Sequence, residues 1–574
     1  MRSNSNKNTL LRAPAGQQVL WLWILPLLFL GVFFFNPLFS IFRLAGAGLI
    51  EAGLDGAAWS RVWRTLSFTV WQASLSTFFT LVIGLPAAYV FARFSFPGKS
   101  LLRVLTTLPF ILPTILVAAA FNALIGPRGW VNVLLMDWFN LAAPPVNFLN
   151  SLSAIVLAHV FYNTTIIVRV VGSAWSQLDP RLGYAARVLG ASPWRMLREV
   201  ILPLLRPAIL AAALLVFIFN FTSFGVILLL GGPRFATLEV EIYIQTLQML
   251  NLPMAGLLSA IQLGCTLVMT LLYTRLSARL NTPLAPRLQG EGIGTPHTWR
   301  EKLLVGGTVM VLLILLVSPL AALASRSVMR LDAERGQRGE VQTGITLDFY
   351  RELFINRRGS LFFVPPIQAV RNSLIYAGTT VVFSLGLGLL AASALTRRVM
   401  INRILDPMFM LPLGTSAVSL GLGFIIVFNR PPMDVRSFPL LVPIAHSLVA
   451  LPFVMRALQP ALLSIPGGLR QAAAVLGASP LRVWLEVDLP IIARAALVGA
   501  VFSFTISMGE FGATSFLARP EFPTMPVAIF RFIGQPGALN YGQALAMSTL
   551  LMMVCAIGIF FIERFRLRGI KEEW

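Results

Sequence analysis

Cysteine and histidine are nearly missing from this chain of 574 residues, with two of the former and three of the latter. Cys265 and Cys555 stand alone, so a disulfide framework and a thiolate metal site are both excluded, and no metal is expected. Charge is also scarce. Asp, Glu, Lys and Arg make up 12% of the chain, where a soluble globule carries about 25%. Acids are the rarer sign, 23 against 45 Lys and Arg. An intramembrane enzyme would need His, Asp, Glu or Cys gathered near one membrane face, and this composition does not supply them. A phosphate-cradling loop is lacking as well. Gly98-Lys99-Ser100 has the right ending for G-x-x-x-x-G-K-[ST], but Arg93 occupies the first glycine position. No catalytic residue and no cofactor are therefore expected on the chain itself.

What the chain has instead is length without charge. Hydrophobic residues reach 57% and mean hydropathy is +0.79. Uncharged stretches of spanning length occur at 18–42, 65–92, 104–127, 207–233, 242–274, 303–325, 372–396, 407–429, 437–455 and 532–562. A further span is expected at 152–172, after Pro144-Pro145 and Asn147 break a longer run, and another at 495–517, interrupted by Glu510. Segments of this length predict helices and not barrel strands. The expectation is an all-α polytopic membrane protein of about twelve transmembrane helices. The segment 18–42 is too long for a signal peptide and is expected to remain as the first span.

The net charge of +22 is distributed as membrane topology. With Arg2, Lys7 and Arg12 inside, the connections 93–103, 169–206, 275–302, 397–403, 456–494 and 564–571 hold most of the basic residues. The opposite loop 326–371 sets eight Arg against five acids. This positive-inside pattern predicts an inner-membrane protein with both termini cytoplasmic, and it removes nucleic acid from the expected partners.

One stretch is written twice. Residues 184–203 read YAARVLGASPWRMLREVILP and residues 471–490 read QAAAVLGASPLRVWLEVDLP, a constant 287 positions apart. The register persists in His159 and His446, Arg169 and Arg456, Phe224-Gly225 and Phe511-Gly512, Pro233 and Pro520, and Thr237 and Thr524. Two homologous six-helix halves are expected, 1–290 and 291–574. Each copy has the chemistry of two short helices joined by a turn. Gly190 and Gly477 are left-handed stops, Ser192 and Ser479 are caps, Pro193 and Pro480 are first-turn residues, and Pro203 and Pro490 end the second helix or kink entry into the next span. A passive connector needs neither this length nor this fidelity. Small residues at Ala185-Ala186 and Ala472-Ala473 would admit a close partner surface, rimmed by Arg187, Arg195, Arg198 and Arg482.

These residues resemble the permease subunits of type I binding-protein-dependent ABC importers. The signature of that family is a cytoplasmic EAA, then Gly, then an apolar-x-Leu-Pro ending. Here it reads Ala185, Ala186, Gly190, Val200, Leu202 and Pro203, and again Ala472, Ala473, Gly477, Val487, Leu489 and Pro490. The motif's glutamate is replaced by Tyr184 and Gln471. The resemblance implies that each loop couples to a cytoplasmic ABC ATPase dimer, which binds the ATP, and that an extracytoplasmic binding protein delivers the substrate. Membrane lipid surrounds the rest. The phrase Gly-Gly-Pro…Thr-Leu-Glu-Val…Ile-Tyr at 231–243 is similar to the branch that includes thiamine and ferric-iron permeases.

A translocation path is sought at polar groups inside spans, which are expensive there. Glu510 is matched by Ser223, and Asn220 by Ser507. All four are candidates for the path; Glu510 is equally open to a purely structural role. The paired histidines, with Asn163, Thr164 and Thr165, read better as interhelical hydrogen bonds than as ligands. The segments 231–243 and 518–530 read as outer gates or docking surfaces. A gradient-driven secondary transporter is the alternative, with Glu510 as its coupling group.

Overall fold

A computed structural model describes residues 15–53, 56–278, 294–330, 344–356, 364–396, 400–429, 434 and 438–570. Among them there is no strand, only two isolated bridges. The boundary expected at 290/291 lies outside the described residues.

Among the described residues eleven helical segments are long and apolar enough to cross a membrane, one of them Thr114–Phe139 with a break in it, and one bent pair makes a twelfth if taken as a single span. In the first half the helices are α1 (Leu22–Ile50), α2 (Gly56–Arg93), α3 (Lys99–Ile111), α4 (Thr114–Ile125), α5 (Trp130–Phe139), α6 (Leu152–Ser176), α7 (Pro180–Val188), α8 (Pro193–Phe221), α9 (Gly225–Leu230), α10 (Leu238–Tyr243) and α11 (Leu252–Ala278). The second half has α12 (Trp299–Arg326), α13 (Gln368–Leu395), α14 (Asn402–Met410), α15 (Ala417–Val427), α16 (Leu441–Leu463), α17 (Gly467–Val475), α18 (Pro480–Gly509), α19 (Gly512–Leu517), α20 (Met525–Ile533) and α21 (Ala538–Ile570). The bent pair is Asn402–Gly414 with Ala417–Val427, at 98°. Ser416 starts its second arm by accepting from the N–H groups of Val418 at 3.1 Å and Ser419 at 3.3 Å.

Each half is built on a three-helix core, α2 with α6 and α8, repeated as α13 with α16 and α18. Close approach within it depends on one glycine per half. A Cβ on Gly84 would lie 2.6 Å from Ile167, and one on Gly388 would lie 2.6 Å from Val454. Ile167 and Val454 keep the 287-residue register, whereas the glycines stand 304 apart. The difference falls where α5 lengthens the first half. The halves also wrap each other: α1 packs on α13 and α15, and α12 packs on α4.

The span expected at 104–127 is broken between Ile111 and Thr114, and three others are shorter than their uncharged windows. The span sought at 207–233 ends at Phe221, that at 242–274 starts at Leu252, and that at 495–517 ends at Gly509. Between them the chain turns back inward as α9 and α10, and as α19 and α20. Gly232, at φ +65, supplies one of these reversals. Hydropathy reports apolar environment and not direction, so a re-entrant helix reads as part of its neighbour. The outer segments 231–243 and 518–530 therefore run into the protein: Leu238, Val240, Met525 and Ala528 are all buried.

Candidate functional site

At one end of the molecule, the two copies of the repeated loop fold alike. In the first, Gly190 takes φ +83, its N–H bonds the Arg187 carbonyl at 3.0 Å, and the Ala191 N–H bonds the Ala186 carbonyl at 3.0 Å. In the second, Gly477 takes φ +83, with the matching bonds to Ala474 and from Ala478 to Ala473, also at 3.0 Å. This paired closure ends a helix only where the residue after the cap is left-handed, hence the glycines. Ser192 and Ser479 then cap the next turn by accepting from Arg195 N at 3.3 Å and Arg482 N at 3.4 Å. Arg195 pairs with Glu199 at 3.2 Å and Arg482 with Glu486 at 2.9 Å, exposed pairs that contribute little stability.

Pro203 and Pro490 do not end these helices. Each follows a widened π-helical turn, Leu197–Ile201 or Trp484–Asp488, with Leu202 N bonding the Leu197 carbonyl and Leu489 N bonding that of Trp484. The wider turn accommodates a ring that cannot donate and would clash in an α-turn. The loops leave apolar side chains in the open: Val188, Leu189, Val475 and Leu476 are each 87% exposed. Ala185, Arg187 and Ala472 are exposed as well, and the matched pair Ala186 and Ala473 is half-buried in both loops. One asymmetry has a local explanation. Asp488, where the first copy has Ile201, turns inward to Arg470 at 2.8 Å, where the first copy has Gly183.

The turn that carries Gly98-Lys99-Ser100 is the start of α3. Lys99 donates from Nζ to the Phe94 carbonyl at 2.7 Å, and its pKa is lowered by partial burial and by the neighbouring Arg103.

A second site lies between the halves, a cavity of about 380 Å³. Its walls come from α6, α8, α9 and α10 on one side and from α15, α16, α18 and α19 on the other. His159 stands about 10 Å along α6, by the helical rise, and its ring spans Ser76 Oγ (Nδ1, 3.0 Å) and Ser223 Oγ (Nε2, 2.9 Å). His446 repeats this with Ser507 Oγ (Nδ1, 2.7 Å), while its Nε2 lies 3.1 Å from Glu510 Oε2 and 2.8 Å from Thr514 Oγ1. The pairing of Ser223 with Glu510 read from the register is therefore a pairing of two histidine partners.

Glu510 also begins α19. Its carboxylate accepts from Ala513 N at 2.8 Å, Thr514 N at 2.9 Å and Thr514 Oγ1 at 2.6 Å. Three donors and an imidazole satisfy a group that is 8% exposed, as burial requires.

Ser223 and Glu510 line the cavity; Asn220 and Ser507 do not. Asn220 is a buried knot, accepting from Asn163 Nδ2 at 2.7 Å through its side chain and from Gln72 Nε2 at 2.9 Å through its backbone, and donating to Thr77. Ser507 is held by His446 and Thr380. Of the polar residues read as interhelical, Asn163 is, and Thr165 bonds the Thr106 carbonyl. Thr164 instead bonds back to Val160 within its own helix at 2.6 Å.

The sequence reading missed Glu239, a second buried carboxylate in the cavity wall and 1% exposed. It accepts from Gln262 Nε2 at 2.5 Å and from Ser416 Oγ at 2.6 Å, the latter across the interface between halves. It also missed the aromatic wall of Phe219, Phe453 and Phe502, in which Phe453 and Phe502 stack at 6.4 Å.

Two repeated helical halves that enclose one cavity, with one matched loop each at the end of the bundle, define a pseudo-dimeric membrane permease. The chain belongs to the family of binding-protein-dependent transport system inner membrane components, which matches it twice, at 80–282 and 384–569. It is the permease subunit of a binding-protein-dependent ABC importer, a multi-pass membrane protein.

Among its relatives is the probable ABC transporter permease protein y4fN of Sinorhizobium fredii, 26% identical over 551 residues and 93% of each chain. The thiamine transport system permease protein ThiP of Escherichia coli is 26% identical over 538 residues, covering 90% of this chain and 92% of its own. ThiP of Brucella abortus is 26% identical over 572 residues and 98% of both. A chain of a solved bacterial alginate ABC transporter aligns with 47% of this one at 21% identity and a TM-score of 0.38, and with 97% of its own length.

Proposed function

We propose that this permease imports thiamine across the inner membrane by alternating access, driven by an ATPase dimer on the paired loops and supplied by an extracytoplasmic binding protein. The carrying observation is the loops' matched geometry, with the same left-handed glycine, the same capping serine and the same two apolar residues left 87% exposed in each copy. Exposed apolar patches of this kind suit a partner's surface, and two like patches suit two like subunits. On this reading ATP is bound by the partner, the chain needs no cofactor or ATPase site of its own, and both termini are cytoplasmic with the loops.

Thiamine is favoured by the ThiP relatives, which align along nearly the whole chain, and by a cavity with carboxylates and aromatic rings, suited to a heteroaromatic cation. Ferric iron would call for several hard oxygen ligands, and among the described residues no group of three His, Cys, Asp or Glu gathers. The capping bonds of Glu510 support ATP-driven over gradient-driven transport, because they give that carboxylate a structural use.

The test is co-purification of the chain from its native membrane. An ATPase that is retained by the native chain and lost on altering 184–203 and 471–490, with thiamine on the co-isolated binding protein, is the expected result. A chain that purifies alone and moves solute without ATP overturns the reading.

A further inference from the structure

Among the described residues, Glu239 is a buried acid with no basic side chain as its partner. Glu510 has the imidazole of His446 at 3.1 Å. Glu239 has only two neutral donors, Gln262 Nε2 and Ser416 Oγ, and among the described residues no Lys, Arg or His pairs with it. A carboxylate taken out of water needs compensation, and neutral hydrogen bonds supply part of it. The surroundings are polar and incompletely paired: Gln262 Oε1 is buried without a partner. The carboxylate is also a cavity-wall group. The same cavity carries Phe219, Phe453 and Phe502, rings whose faces attract cations and stack on flat heterocycles.

We infer that the cavity between the halves is a transient binding site for a heteroaromatic organic cation, with Glu239 as its counter-charge and Phe219, Phe453 and Phe502 as its stacking wall. The inference rests on the proposed thiamine reading for the identity of the cargo, but not for the existence of the site. A cavity of about 380 Å³ suits one small two-ring molecule. Charge selection falls to Glu239, since Glu510 is already matched by His446 and by three donors of α19. The duplication did not produce two such sites. The register places Pro526 opposite Glu239, so among the described residues the cavity has one acid without a basic partner and one orientation for its cargo.

The experiment uses the full chain in detergent and measures equilibrium binding of thiamine, of its neutral thiophene isostere and of an N-methylpyridinium cation. Glu239→Gln removes the charge while keeping one oxygen to accept from Ser416. The native chain is expected to prefer thiamine over the isostere by about tenfold or more, and Glu239→Gln to bring the two within roughly threefold with isostere affinity unchanged. Phe502→Leu is expected to weaken both ligands together. A preference that survives Glu239→Gln, or an equal loss of both ligands in that variant, overturns the site. Thiamine that fails to bind while the pyridinium cation binds in a Glu239-dependent way keeps the site and removes thiamine as the cargo. Thiamine uptake by the assembled importer that is unchanged in Glu239→Gln keeps thiamine and removes the site. Binding of no cation at all overturns the proposal.

Discussion

Phe224 stacks on Phe511, its own counterpart 287 residues later, at 5.4 Å between ring centroids and 19° between planes. Their flanks repeat too: Tyr243 lies 5.4 Å from Phe224 and Phe530 lies 5.3 Å from Phe511, both at 52°. A pair of equivalent residues in contact marks where the pseudo-twofold axis of the two halves passes, and both rings line the cavity. Phe511→Ala should remove a buried ring at a cost of about 3–5 kcal/mol. Thermal unfolding of the purified chain should show lower stability, and vesicles carrying the variant should leak the transported solute without ATP.

The loop glycines separate backbone demands from space. A Cβ on Gly190 or Gly477 meets nothing within 4 Å, so only the positive φ resists substitution. Gly190→Val with Gly477→Val should cost about 1–2 kcal/mol per site, distort both loops and abolish ATP-coupled uptake while the protein still inserts. The Asn pair, tolerant of the left-handed region, should retain most uptake. Equal uptake by the Val and Asn variants would refute the coupling role of these turns.

Arg470 and Asp488 should behave as one unit. Asp488→Ala leaves a half-exposed Arg without its partner and should lower stability by about 1–2 kcal/mol, less than a fully buried pair because water screens it. Arg470→Ala with Asp488→Ile approximates the Gly183 and Ile201 of the first loop and should recover most of that loss. A double-mutant cycle by denaturation measures the coupling. Additive losses would mean the two residues act independently.

Glu510 distinguishes energy sources. Glu510→Ser installs the residue its first-half counterpart carries, able to bond His446 as Ser223 bonds His159. Uptake should persist, reduced by weaker capping of α19. Glu510→Ala, which leaves the Ala513 and Thr514 donors unmet, should destabilise by about 1–3 kcal/mol. If Ser and Ala variants are both dead in uptake yet stably folded, Glu510 carries an essential charge and the gradient-driven reading returns.

Glu239 escaped the sequence reading for a physical reason. Arg234, Glu239 and Glu241 broke the uncharged run between 207–233 and 242–274, so their segment read as an outer loop. The fold returns that segment to the interior as α10, where Ser416 of the other half meets the carboxylate. Its repeat partner Pro526 gave no symmetric signal. Asn220 and Ser507 are polar within a span as read, and in the structure they make hydrogen bonds between helices and stand outside the cavity lining.

Hydropathy, charge placement and the repeated 184–203 and 471–490 segments were enough to determine a helical membrane protein in two halves with paired loops, because these properties are periodic or local along the chain. The serine caps and left-handed glycines of the loops arise from residues a few positions apart, and they stand in the structure as the residue types dictate. Which polar groups face the cavity, the Glu239–Ser416 bond between halves and the contact of Phe224 with Phe511 were decided only by tertiary structure. Each depends on chain segments some 180 to 290 residues apart meeting at the pseudo-twofold axis, and no local spacing encodes which face of a buried helix will look into the space between them.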